Sequence, residues 1–178
     1  MDARAFTALG GQSMYRGRLV EVRRERFRYA DGAEETREIV RHQGAVGIVA
    51  HDAEQVWLVR QPREAVGESE LLELPAGRLD VAGEAPLAAA QRELAEEIGR
   101  GARRWEPILS YYSSAGFTDE RVHLFLATEL HEATAASDEN ERIEIVTWPL
   151  AELAEAIAGC RDAKTLIGLM WLARRLNV

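Results

Sequence analysis

Apolar residues run almost unbroken through residues 44–50 and again through 55–60, separated by the polar His51-Asp52-Ala53-Glu54. Two such runs around a tight turn predict a β-hairpin. Residues 71–74 predict a further short strand, broken by Pro75-Ala76-Gly77. Residues 105–112, 122–130 and 143–148 have strand composition, and the polar, acidic stretch 131–142 between the last two reads as a loop. Pro149 suits the first turn of a helix, and residues 162–175 predict a final helix with Leu166, Leu169, Met170, Ala173 and Leu176 on its apolar face.

Upstream, residues 1–43 have a different character. An imperfect alternation from Arg18 to Tyr29, a turn signal at Ala30-Asp31-Gly32-Ala33 and a return through Thr36 to Arg41 predict a β-hairpin or short meander. Two or three strands are marginal alone. This segment is therefore expected to pack on the main domain, 44–178, or on a partner subunit.

The most informative stretch is 86–98. It is rich in Ala, Leu, Glu and Gln, opens on Pro86 and stops at Gly99, which predicts a helix. Leu87, Ala90, Leu94 and Ile98 fall on one stripe at helical spacing. Glu93, Glu96 and Glu97 crowd the side beside it. Glu93 and Glu97 are a like-charged i,i+4 pair, and Glu96 and Glu97 sit near the C-terminal end, where the helix dipole disfavours acids. A hard divalent cation with oxygen ligands compensates such crowding. The alternative is a solvated acidic face on which Arg92 makes a surface ion pair. Gly77, in the loop ahead of the helix, allows backbone carbonyls to turn toward a cation or backbone amides toward a phosphate.

Composition narrows the function classes. The formal charge of −8 disfavours a broad nucleic-acid-binding face, which needs clustered cations. A single cysteine, Cys160, excludes an intrachain disulfide and a cysteine-rich metal site. His42, His51, His123 and His131 are scattered, without zinc-protease spacing. The chain contains no apolar run long enough to span a bilayer and no signal-peptide core at its start, so a cytoplasmic protein without membrane or nucleic-acid partners is expected.

The segment beginning at Gly77 resembles the signature box of the Nudix hydrolases. That box runs Gly, five residues, Glu, seven residues, Arg-Glu, an aliphatic, any residue, Glu-Glu, any residue, Gly and an aliphatic. Here Gly77 opens it, Glu84 follows, and Arg92-Glu93-Leu94-Ala95-Glu96-Glu97-Ile98-Gly99 completes it. Six residues rather than five separate Gly77 from Glu84, an insertion confined to the loop, and Arg100 replaces the final aliphatic. The resemblance covers residues 44–150 and the terminal helices. It implies an α/β fold, a Nudix α/β/α sandwich with a mixed sheet, preceded by a small β-rich dimerisation segment over 1–43.

Within that family the chain looks most like the ADP-ribose pyrophosphatases. The supporting residues are Leu72-Glu73-Leu74-Pro75-Ala76-Gly77 before the box, the β-rich N-terminal segment, Ala115-Gly116-Phe117-Thr118-Asp119-Glu120 and the downstream Asp138-Glu139-Asn140-Glu141. Ala115 stands where that group usually carries a proline.

The resemblance implies divalent-metal-dependent cleavage of ADP-ribose to AMP and ribose 5-phosphate, in a homodimer. Mg²⁺ is the implied cofactor, with Mn²⁺ as the alternative. It carries metal binding onto Glu93, Glu96, Glu97 and the Ala76 carbonyl, with Glu73 and Glu84 as further candidates, and gives Arg92 the role of holding a box carboxylate. It places the general base at Glu139 or Glu141. Arg37 and Arg63 are the implied anion contacts, Glu120 a pocket residue, and Val20 an adenine contact, with Tyr15 and Phe27 as alternatives. Other readings are a pyrophosphatase for ADP-glucose, another nucleotide sugar or a dinucleotide, and a non-catalytic ligand sensor. The sensor reading fits poorly because every box acid is present.

Overall fold

The computed structural model describes residues 2, 4–135 and 142–178. It forms two compact units: the chain up to Gly44 together with Tyr111–Arg121, and Ala45–Ser110 together with Val122–Val178.

The first unit is a three-stranded antiparallel sheet, β1 (Phe6–Arg16), β2 (Glu21–Tyr29) and β3 (Glu34–Arg41), in that order across the sheet. The turn at 30–33 closes as its sequence predicts, with Tyr29 N–H donating to Ala33 O at 2.9 Å and Gly32 at φ 87°. β1 is an addition that the hydrophobic pattern does not announce. Its residues are almost all exposed, and it is held by backbone pairing to β2. Segment 111–121 belongs to this unit because Val40 N–H donates to Phe117 O at 2.8 Å and Asp119 N–H to Val40 O at 3.2 Å.

The second unit is built on a seven-stranded mixed sheet. β4 (Ala45–His51) and β5 (Gln55–Arg63) are the predicted hairpin; β6 (Glu68–Glu73) pairs with β5 and β7 (Ala76–Arg78) with β4. β8 (Arg100–Tyr112), β9 (Arg121–Glu132) and β10 (Glu144–Pro149) complete it in the order β10-β5-β4-β9-β8. β4 and β9 run parallel. The expected break at Pro75-Ala76-Gly77 is only partial, since Ala76 and Gly77 return to the sheet opposite Gly47 and Val46.

The continuous apolar run of β4 is explained by its position, covered on both faces. Val46, Ile48 and Ala50 are buried with Ala89, Ala90, Leu94 and Ile98 of helix α1 (Pro86–Ile98). Val49, on the alternate face, packs close to Gly168 of helix α3 (Ala163–Leu176). A short helix α2 (Leu153–Gly159) precedes α3.

α1 starts at Pro86 and ends at Gly99 in the left-handed conformation, whose N–H reaches Ala95 O and Leu94 O. Two details of the expected helix faces differ. Leu87 is exposed on the first turn of α1, and Met170 is exposed on α3, whose buried face is Thr165, Gly168, Leu169 and Leu172. Glycine and threonine are weak apolar signals, but α3 lies close enough to the sheet to require them.

Candidate active site

Arg92 of α1 gathers three carboxylates, Glu84 from the loop before the helix and Glu93 and Glu96 from the helix itself. Its Nε and Nη2 donate to the two oxygens of Glu84, each at 3.1 Å. Its Nη1 donates to Glu93 Oε1 and to Glu96 Oε2, each at 2.8 Å. These bonds, that with Glu84 foremost, hold the guanidinium pKa far above its ordinary value. Glu97 is only 8% exposed and accepts a bond from Ala76 N–H at 2.9 Å. Gly77 is the floor beneath Glu93: a Cβ there would lie 1.8 Å from Glu93 Cδ. The glycine is required by this close approach.

Among the described residues no three His, Cys, Asp or Glu side chains converge as a ready-made ligand set. The carboxylates are instead turned onto Arg92 and the Ala76 amide. Their chemistry nevertheless fits a hard cation. Glu84, Glu93 and Glu96 share the single Arg92 guanidinium, so the carboxylates around it carry more negative charge than it neutralises. The cradle at Gly77 holds one of them where no side chain intrudes.

Glu73, a further metal candidate from its motif, is buried against cations. It is 1% exposed, and Arg63 grips it through both oxygens, at 2.5 and 2.9 Å. Lys164 of α3 bonds it too. The bond to Glu73 raises the Arg63 pKa against the opposing effect of burial. Arg63 is thus oriented by a buried carboxylate, a partner that the sequence did not reveal because the pairing depends on the register of β5 against β6.

The remaining candidates lie in the first unit. Arg37 is exposed, bonded to Glu35 Oε2 at 3.1 Å, and lines a cavity of about 310 Å³ with Phe6, Phe27, Tyr29, Arg41 and Phe117. Phe6 meets Phe27 edge-on at 5.5 Å. Val20 lines a separate recess with Arg41 and His42. Tyr15 is 60% exposed on β1. Glu120 Oε1 lies 3.5 Å from His42 Nδ1, which accepts the Gly44 N–H at 3.0 Å. The structure therefore brings Arg37 and Phe27 together but not Val20 with them. Tyr29, Arg41 and Phe117 were missed; Tyr29 was legible in part, two residues from Phe27 on one strand and so on the same face. Glu139 and Glu141 lie outside the described residues.

Arg41 also joins Asp119 Oδ2 at 2.9 Å and Glu25 Oε1 at 2.8 Å. Burial pushes the Asp119 carboxyl up, but Arg41 and the His42 N–H outweigh it and hold the pKa below its ordinary value. Arg41 and then Arg23 do the same for Glu25. A carboxyl held low in the folded state contributes stability above its ordinary range and loses it as pH falls through the folded value. The deficit of Asp119→Asn relative to wild type in urea unfolding is therefore expected to be larger at about pH 7 than at about pH 3. Equal deficits at both would refute this account.

Among the described residues no helix is long and apolar enough to cross a membrane. The family description "NUDIX domain" matches residues 41–167. The chain is 38% identical over 155 residues to an "ADP-ribose pyrophosphatase" of Mycobacterium tuberculosis, covering 85% of this chain and 74% of that one. It is 36% identical over 166 residues to a "Methanol dehydrogenase activator" of Bacillus methanolicus, covering 90% and 89%. A solved structure described as "Crystal structure of ADP compounds hydrolase" superposes with a TM-score of 0.87 at 24% identity, over 99% of this chain and 97% of that one, a likeness of fold. The acids gathered by Arg92 and cradled at Gly77 thus lie inside the matched region, and the chain belongs to the Nudix hydrolases, related to the ADP-ribose pyrophosphatases.

Proposed function

We propose that this enzyme hydrolyses the pyrophosphate bond of ADP-ribose, giving AMP and ribose 5-phosphate, as a cytoplasmic homodimer. The observation that carries the reading is Glu93 seated on Gly77 and joined through Arg92 to Glu84 and Glu96, with Glu97 on the same helix bonded to the Ala76 N–H. Nudix enzymes generally use divalent metals. Glu93, Glu97 and the Ala76 carbonyl, with Glu96, would hold Mg²⁺ or Mn²⁺. Such a cation supplies charge neutralisation for the diphosphate.

The chain's own residues do the rest. Arg92 keeps the acids oriented, as partners of metal-binding groups must. Glu139 or Glu141 accepts a proton from the attacking water as its oxygen bonds to phosphorus. The bridging P–O bond breaks, and its electron pair leaves with the departing phosphate. In the second unit Arg63, aimed by Glu73, is the phosphate contact, its planar guanidinium suited to phosphate oxygens; Arg37 is the anion contact offered by the first unit. The aromatic cavity beside Arg37 suits a nucleobase. It favours Phe27, with Phe6 and Tyr29, over Val20 as the adenine contact.

The N-terminal segment is the proposed dimer element. β1 offers an exposed edge, and Phe6, Met14 and Tyr15 on it are all exposed. An unpaired edge with apolar side chains is suited to a second chain.

The deciding experiment is Mg²⁺-dependent hydrolysis of ADP-ribose, ADP-glucose and a dinucleotide, with products identified by phosphorus NMR. ADP-ribose is expected to be cleaved with the highest kcat/KM, to AMP and ribose 5-phosphate. A clear preference for either of the others would replace it as substrate. Light scattering is expected to give the mass of a dimer.

Gly77→Ala tests the cradle. The new Cβ meets the end of a flexible side chain, so the fold should survive while the Glu93 carboxylate is displaced. Turnover is expected to drop about 100-fold, the scale of a misplacement of about 1 Å. Unchanged kcat with Ala at this position would show that Glu93 need not sit there.

A further inference from the structure

Thr165 lies on α3, outside the acid cluster, and is completely buried. Its hydroxyl donates to Asp162 Oδ2 at 2.6 Å and accepts from Leu74 N–H at 2.8 Å. Asp162 caps α3, taking the Thr165 N–H at 3.0 Å, and its Oδ2 also takes a bond from Lys164 Nζ at 3.0 Å. Lys164 in turn bonds Glu73, the residue before Leu74. One turn along α3, Gly168 makes room for the Leu74 side chain: a Cβ there would lie 2.6 Å from Leu74 Cδ1. The backbone at Leu74 is thus fastened to the start of α3 by side chains about 90 residues away in sequence.

Leu74 begins the short strap that builds the acid site. Pro75 O accepts from Ile48 N–H at 2.8 Å. Ala76 N–H then holds Glu97 Oε2 at 2.9 Å, and Gly77 lies under Glu93. Both acid contacts hang from the strap that Thr165 ties down.

We propose that Thr165 is a positioning residue for the metal site, fixing through Leu74 the Ala76 amide and carbonyl and hence Glu97. This rests on the reading of Ala76, Glu93 and Glu97 as metal-holding groups. The position requires a group that donates and accepts at once. Serine meets that requirement. Valine has the shape of threonine but leaves the buried Leu74 N–H without an acceptor, a state that folded chains avoid by shifting the backbone.

The test is Mn²⁺ titration of the full chain followed by electron paramagnetic resonance. Thr165→Val is expected to weaken Mn²⁺ binding about tenfold, the lower end of the effect of losing an outer partner of a metal ligand. Thr165→Ser should restore near wild-type affinity. Leu172→Val, a cavity-forming change at another fully buried position of α3, should lower thermal stability and leave Mn²⁺ affinity unchanged. Wild-type affinity in Thr165→Val, or an equal loss in Leu172→Val, overturns the proposal. If Thr165→Val does not fold, Asp162→Asn takes its place, with weakened Mn²⁺ binding expected and unchanged binding overturning the proposal. A wild-type chain that takes up no Mn²⁺ overturns the metal-site reading itself and this proposal with it, whereas failure of the Thr165 variants alone leaves that reading standing.

Discussion

Glu97→Gln and Glu93→Gln are each expected to lower kcat by about 10²–10³ while leaving the fold intact, the scale on which enzymes lose a charge-stabilising group. The geometry separates the two consequences. Glutamine at position 97 keeps an oxygen for the Ala76 N–H, so the strap retains its bond. Glutamine at position 93 leaves Arg92 its bonds to Glu84 and Glu96. Either change also relieves a like-charged i,i+4 pair on α1, which at position 93 offsets part of the lost charge on the Arg92 bond, so the metal-free thermal midpoint should shift little. What is removed is negative charge at the cation site. Mn²⁺ affinity should fall in both variants, and kcat should fall more than substrate affinity, because charge develops on the diphosphate in the transition state. Wild-type kcat together with wild-type Mn²⁺ affinity in both variants would sink the assignment.

Removing the general base is expected to cost two to four orders of magnitude in kcat, roughly the usual contribution of positioned proton transfer. Glu139→Gln is the first variant to make, and Glu141→Gln the second. The acids on α1 are poor bases once committed to a cation, whose field lowers their affinity for protons. A separate carboxylate has to reach the attacking water. The sequence between β9 and β10 is rich in acids and carries two glutamates, Glu139 and Glu141, two positions apart. The base variant should keep full Mn²⁺ binding, which distinguishes it from Glu93→Gln and Glu97→Gln. A crippled Glu141→Gln beside a nearly normal Glu139→Gln would exchange their roles. Full kcat in both, under conditions where chemistry limits the rate, would remove this segment from the mechanism.

The most accurately legible element was α1. Its boundaries, 86–98, follow from Pro86 and Gly99, and the crowding of Glu93, Glu96 and Glu97 follows from helical periodicity. These are local properties, encoded within a few residues and little altered by packing. The hairpin of β4 and β5 was legible for the same reason: apolar runs and a turn chemistry that lie next to each other in the chain.

The misplaced features share a different origin. Leu87 has the right period for the buried stripe but falls on the exposed first turn of α1, because the sheet covers the helix only from Ala89 onward. β1, interrupted by Gly10 and Gly11 and without a regular alternation of apolar and polar residues, has weak strand propensity of its own and owes its form to the backbone pairing offered by β2. The partners of the buried polar and charged groups were hidden most completely. Glu73 with Lys164, Leu74 with Thr165 and Arg41 with Asp119 join residues far apart in the chain. Residue type announces that a buried carboxylate or amide needs a partner, because leaving it unpaired is costly. Which partner it finds depends on strand register and on which helix covers which face. Thus helix periodicity and turn chemistry were enough to mark the acids of α1 and the glycine before them. The floor under Glu93, the amide at Glu97 and the buried carboxylate that aims Arg63 arose only when sheet and helices packed, since packing alone sets distances between residues remote in sequence.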